Sequence, residues 1–194
     1  MTDSPSSASW EKFYALTKSS PPWPLLQRAV GALGRKGDAL DLGAGAGRDT
    51  VYLLEQGFHV TAVDQERSAI AILETFPQDN LKLVQSVFAD FSFGTYDIIN
   101  AQYALQFNPP ATFYEVFGKV KGALIPGGIF TGQLFGTHDE WNKPGVDMTF
   151  LTLEQVREVL SDLETIELQE VELDGTTADK SPKHWHLFHI IARN

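Results

Sequence analysis

Ala39-Leu40-Asp41-Leu42-Gly43-Ala44-Gly45-Ala46-Gly47-Arg48, followed by His59-Val60-Thr61-Ala62-Val63-Asp64, is the stretch that decides how this chain folds. The first run is a short apolar strand ending in alternate glycines. Glycine removes Cβ atoms where a ligand must lie against the backbone, and it permits the positive φ angles of a tight strand-to-helix turn. From Arg48 to Gln56 the apolar residues Val51, Leu53 and Leu54 fit a helix, which Gly57 stops. The second run is another strand. Its terminal Asp64 falls about 20 residues beyond the first glycine, the spacing at which a carboxylate takes both ribose hydroxyls of a bound nucleoside.

The nucleoside need not belong to a dinucleotide. The pattern G-x-G-x-x-G would require glycine at position 48, where this chain has Arg48. A long charged side chain there leaves less room for a pyrophosphate against the backbone. A nicotinamide-dependent (NAD or NADP) oxidoreductase is therefore the weaker alternative. A protein that keeps the fold and binds a cofactor without turnover is another, since fold alone does not certify catalysis.

Outward from this stretch, strand and helix alternate. Strands are predicted near 38–42, 58–63, 81–86, 96–101 and 128–135, with helices at 25–33, 47–56, 66–75 and 110–122. Near-continuous apolar strands separated by helices imply a parallel sheet covered on both faces. After Gly136 the pattern changes: Thr152 caps a helix running to about Leu160, and two strand-like runs, 164–173 and 184–192, flank a turn-rich segment. The expectation is a single-domain, doubly wound α/β fold. Its sheet is mostly parallel and seven-stranded, with helices on both faces and an antiparallel C-terminal strand. Residues 1–9 are Ser-rich and are expected to be disordered; the domain then occupies 10–194. Within it, segment 10–24 carries Trp10, Phe13, Tyr14 and Leu16 at helical spacing, the pattern of an amphipathic lid.

Composition bounds the function. With 194 residues the chain is one domain by length, and 43% hydrophobic with 21% charged residues is ordinary for a globular protein. A formal net charge of −10 argues against a broad nucleic-acid groove, which needs a basic footprint. The absence of cysteine excludes disulfides, thiolate zinc sites and a cysteine nucleophile. No apolar run approaches the roughly 20 residues that span a bilayer, and Met1 to Ser7 lacks the regions of a signal peptide. A cytoplasmic protein is expected, monomer or homodimer.

The pattern D-x-G-x-G-x-G at Asp41 to Gly47 resembles the first motif of the class I S-adenosylmethionine-dependent methyltransferases. Three further features extend the resemblance: Ala89-Asp90-Phe91, the strand Tyr96 to Ala101 with Gln102 and Tyr103 after it, and the turn Leu124-Ile125-Pro126-Gly127-Gly128. Within the class the chain is most similar to the small tellurite-resistance-type methyltransferases, through Asp41 to Arg48, Tyr52-Leu53, Gly57 to Asp64 and Trp10-x-x-x-Tyr14. This resemblance implies S-adenosylmethionine as methyl donor, S-adenosylhomocysteine as product and a small-molecule acceptor. It implies that Asp41, Gly43, Ala44, Gly45, Gly47 and Arg48 hold the aminoacyl end, and that Asp64, beside Gln65, holds the ribose. Asp90 would accept from the adenine amino group, Phe91 would pack on the ring, and Ala101 and Gln102 would lie at the cofactor's edge.

The acceptor side is assigned less narrowly. The resemblance places Tyr14, Tyr103, Gln106, Phe107, His138, Trp141, His184 and His186 there, with Tyr14, Tyr103, His138 and His186 the candidates for a catalytic role. His184 and His186 share one face of a strand while His189 points to the other. No carboxylate adjoins them in sequence and a zinc site needs further ligands, so no metal is expected.

Overall fold

The computed structural model describes residues 7–77 and 79–194. Helices α1 (Ser7–Thr17) and α2 (Pro24–Leu33) precede β1 (Asp38–Leu42), α3 (Arg48–Glu55), β2 (His59–Asp64), α4 (Arg67–Leu73) and β3 (Leu81–Gln85). Then come β4 (Tyr96–Ala101), a 3-10 turn at Leu105–Phe107, α5 (Pro110–Gly122), β5 (Leu124–Gly136), β6 (Phe150–Leu151), α6 (Leu153–Val159), β7 (Glu164–Thr176) and β8 (Pro182–Arg193). Ser7 to Ser9, expected to be disordered, belong to α1, whose Trp10 meets Phe107 edge-on at 5.0 Å and gives the helix a docked face. The rest of that expected segment lies outside the described residues.

The sheet runs β3-β2-β1-β4-β5-β8-β7, with β6 paired to β5 off this path. Strands β1 to β5 are parallel, and β8 is antiparallel to both β5 and β7. Seven strands follow the expected order of the chain; β6 is an eighth that the sequence left in a loop. It exists because Phe150 stacks on Phe135 of β5 at 5.9 Å, docking two residues whose backbone then pairs.

Each strand divides its side chains between two cores by the two-residue alternation of β structure. Leu40 and Leu42 of β1 join Ile99 and Ala101 of β4, Phe113 and Phe117 of α5, and Val156 of α6 on one face. Ala39 and Ile98 join Leu26 and Ala29 of α2, Leu53 of α3 and Ile70 of α4 on the other. Asp41 and Asn100, two residues on from Ala39 and Ile98, therefore emerge on the α2/α3 face at the C-terminal ends of neighbouring strands. There the chain order reverses between β1 and β4, and doubly wound sheets open a crevice at such a point.

The long β7–β8 hairpin and residues 137–149 enclose the far side of this crevice. A buried ion pair fastens them together: the Lys183 ammonium donates to Asp139, both side chains being 1% exposed or less. The Trp141 and His186 N–H groups also donate to Asp139, at 3.0 and 3.2 Å. The Lys183 ammonium lies 4.2 Å from the Trp185 ring centre and 4.4 Å from that of Trp141, so aromatic faces complete its coordination.

Candidate functional site

The glycine turn is the floor of the site. Gly43, Gly45 and Gly47 all have positive φ (73°, 53° and 84°), a conformation that side chains rarely adopt. Two of them also lack space for a Cβ: at Gly43 it would meet the Ala104 Cβ at 2.7 Å, and at Gly47 it would meet Leu73 at 2.6 Å as well as Phe76. The turn is thus fixed by close packing, and the Gly43 and Ala44 N–H groups both donate to the Val63 carbonyl, at 2.8 and 3.1 Å.

Asp64 ties the turn to β2. Its Oδ2 accepts from the Gly45 N–H at 2.8 Å and its Oδ1 from the Glu66 N–H at 2.9 Å. The Tyr14 hydroxyl of α1 faces the same carboxylate and helps hold its negative form. Burial raises the Asp64 carboxyl above its ordinary range despite these donors, and burial beside Asp64 raises the Tyr14 phenol. A carboxylate offers about four lone-pair sites, so acceptor capacity remains.

A second acidic group lies under the start of α3. Asp41 accepts from the Thr50 hydroxyl at 2.6 Å and from the Asn100 amide at 2.8 Å. Asp49 accepts from the Trp23 N–H at 3.1 Å and from the same Asn100 amide at 3.5 Å. Desolvation first, and the neighbouring Asp49 charge second, push the Asp41 carboxyl up to about 7. Two buried carboxylates beside one cavity invite a cation between them. Arg48 satisfies them only in part: its Nε is 3.9 Å from Asp49, and its guanidinium stacks over Trp23 at 4.2 Å.

From Asp41 an amide relay crosses the strand ends. Asn100 Oδ1 accepts from Gln102 at 2.8 Å, Gln102 Oε1 accepts from Gln133 at 2.7 Å, and Gln133 Oε1 accepts from the Tyr103 N–H at 3.1 Å. Tyr103 is held at φ 51°, and burial pushes its phenol up to about 12. Such a chain fixes each amide's orientation through the next.

These groups open into one cavity of about 1370 Å³. Asp41, Gly43, Ala44, Gly45, Gly47, Arg48, Asp64, Gln65, Gln102, Tyr14 and Tyr103 line it. Seven other expected residues, Asp90, Phe91, Ala101, Gln106, His138, His184 and His186, do not. Asp90 is exposed beyond the wall, while Phe91 turns into the α5 core against Phe93 at 4.8 Å. Val87, Phe88 and Ala89, three of the residues after β3, form the wall instead. Ala101 faces the opposite core by strand alternation. His138 and His186 are outside the cavity, because residues 185, 187 and 189 of β8 face it and the even-numbered ones face away.

The even face of β8 forms a separate cluster. Its register with β7 sets Glu172 opposite His186 and Asp174 opposite His184, so carboxylates do adjoin these histidines across strands, which local sequence does not reveal. His138, Glu172 and His186 bring ligand atoms within 4.8 Å of one another. His186 Nδ1 accepts from the His138 N–H at 3.1 Å, however, and Nε2 faces Glu170 at 2.9 Å, so both ring nitrogens are engaged.

Residues that sequence reading passed over include Trp23, Asn100, Gln133 and Trp185. Asn100 and Gln133 carried a signal, being polar positions inside otherwise apolar strands. Gln106, expected at the acceptor side, is fully buried and its amide has no partner among the described residues.

A sheet that reverses order at β1/β4, a glycine turn beneath an acid-tipped second strand, and an antiparallel β8 define the class I S-adenosylmethionine-dependent methyltransferase fold. Over residues 39–128 the chain matches the family model of a methyltransferase domain. It is 34% identical over 94 residues to an uncharacterised methyltransferase of Synechocystis, a match spanning 47% of this chain and 43% of that relative's length. Among solved structures it is similar to TehB of Haemophilus influenzae, with a TM-score of 0.79, 19% identity and coverage of 95% of this chain and 66% of that one. It is also similar to the N-methyltransferase NodS of Bradyrhizobium japonicum in complex with S-adenosylhomocysteine, with a TM-score of 0.72, 21% identity and 99% of both chains covered. A third is the 1,6-didemethyltoxoflavin-N1-methyltransferase of Burkholderia thailandensis, at 0.67, 22%, 95% and 80%.

Proposed function

We propose that this chain transfers the sulfonium methyl group of S-adenosylmethionine to a small-molecule nucleophile. The observation that carries this reading is the continuity of one cavity, from the Gly43–Gly47 turn and its three buried acids to an aromatic chamber beyond Tyr103. In this reading Asp64 accepts from the ribose hydroxyls, and Val87 and Phe88 lie along the adenine. Asp41 and Asp49 face the α-ammonium of the methionine moiety, and Arg48 faces its carboxylate. The acceptor's lone pair attacks the methyl carbon, the electrons of the breaking C–S bond return to sulfur, and S-adenosylhomocysteine leaves. The protein's task is alignment: holding the reacting atoms about 3–3.5 Å apart is worth roughly 7–11 kcal/mol.

The charge of the site supports a nucleoside whose tail is a cation. Three buried carboxylates at the glycine-turn end suit an ammonium and a neutral ribose better than a pyrophosphate, which the same acids would repel. Calorimetric titration with S-adenosylmethionine, S-adenosylhomocysteine and NADH tests the assignment. Micromolar binding of the first two and none of NADH is the expected result, and tight NADH binding without either of the others would overturn it.

A further inference from the structure

We propose that the methyl acceptor is a planar aromatic molecule, neutral or negatively charged, held between the rings of Trp23, Tyr103, Phe107, Phe135, Trp141 and Trp185; this rests on the methyltransferase reading above. All six rings line the cavity. They touch one another through tilted and edge-on contacts: Trp23 to Tyr103 at 4.9 Å and 38°, Tyr103 to Trp185 at 6.0 Å and 74°, Trp185 to Trp141 at 5.6 Å and 60°, and Trp141 to Phe107 at 6.5 Å and 50°. Contacts of this kind engage ring edges with neighbouring faces, and a flat ligand gains from stacking on whatever face remains open.

Volume and charge narrow the class further. A cavity of about 1370 Å³ exceeds the 300–1,000 Å³ usual for a single ligand, leaving room for an acceptor beside the donor. Among the described residues the carboxylates that line it are Asp41, Asp49, Asp64 and Glu66, all at the glycine-turn end. Among the described residues, the lysines that line it are Lys143 of the 137–149 segment and Lys180 at the β7–β8 tip, both exposed, in a protein whose net charge is −10. These two ammonium groups disfavour a cationic acceptor and draw in an anion. Among the described residues no carboxylate lines the acceptor side, and His189, whose imidazole burial holds below its ordinary range, is a neutral base that lines the cavity; an acceptor that already holds its lone pair at neutral pH, such as an aromatic thiolate or a ring nitrogen, does not need it.

The walls are also rigid. The Lys183–Asp139 pair pins Trp141 and Trp185 from behind, and the relay from Gln133 holds Tyr103 at its backbone. A fixed slot selects shape, where a pliable one would accept any apolar bulk.

The test uses full-length protein saturated with S-adenosylhomocysteine and three probes: naphthalene-2-carboxylate, decalin-2-carboxylate and 2-(aminomethyl)naphthalene. The second shares the first's size and charge without its flatness; the third keeps the flat ring and reverses the charge. Calorimetry is expected to show the naphthoate bound about tenfold more tightly than either of the others. Trp185→Leu and Phe107→Leu should each weaken it several-fold while leaving S-adenosylhomocysteine affinity unchanged, with thermal melts confirming that both variants fold. Equal or tighter binding of the puckered or the cationic probe, or no binding of any of them at about 1 mM, would overturn the proposal. Failure of S-adenosylhomocysteine itself to bind would overturn the methyltransferase reading instead, so the two failures are told apart.

Discussion

Asp41 is the residue whose protonation connects the fold to its ligand. Its carboxyl is pushed up to about 7 from an ordinary 3.8, because it is buried beside Asp49. Burial favours the neutral form, so the carboxyl is about half-protonated near pH 7. Its stabilising contribution is complete below pH 3.8 and is lost as pH rises through 7. An ammonium ligand has the opposite preference and favours the ionised form. The affinity for S-adenosylhomocysteine should therefore rise between about pH 6 and 8, and Asp41→Asn should both weaken binding and flatten the rise. Calorimetry across that range checks the sign; affinity that falls with pH would count against the placement of the ammonium. Gln106 offers a second prediction at this scale. A buried amide without a partner costs about 1–3 kcal/mol, so Gln106→Met should stabilise the protein against urea without changing ligand affinity.

Single elements carry their own predictions. Helix α3 begins directly from Gly47, whose φ of 84° and contact with Leu73 and Phe76 leave no place for a side chain. Gly47→Ala should cost about 1–3 kcal/mol from backbone strain alone, with more from the collision, and should be read as a lower melting temperature. The strap formed by residues 137–149 depends on the Lys183–Asp139 pair. Lys183→Ala leaves a carboxylate buried without its counter-ion and should destabilise by about 3–5 kcal/mol. The Lys12–Asp179 bridge between α1 and the β7–β8 tip is different, with side chains 66% and 39% exposed. Lys12→Ala should change stability by less than about 1 kcal/mol, measured the same way.

The whole molecule was legible in sequence to an uneven degree, and the unevenness has physical causes. Apolar periodicity gave the alternation of elements, and α5 at Pro110–Gly122 coincides with the predicted 110–122. The glycine turn and Asp64 were legible because backbone conformation there demands particular residue types. What pairing and facing decide was hidden: β6 forms through one ring contact, Ala101 and Phe91 turn to the far core, and His138 and His186 leave the cavity for a cross-strand acidic cluster. Asp90 and Phe91 followed a family pattern that this loop does not place at the cavity, where Val87 and Phe88 lie instead. Local pattern reports which face is apolar, while only register reports what stands opposite.

The central claim is that the acid-tipped, glycine-floored end of the cavity binds an S-adenosyl nucleoside. Calorimetric titration of the wild type and Asp64→Ala with S-adenosylhomocysteine measures this most directly. The account predicts one site per chain in the wild type and a loss of about 10- to 100-fold in Asp64→Ala, the cost of about one hydrogen bond to a charged acceptor, with the variant still folded. Equal affinity in the two proteins, or no binding to either, would contradict it.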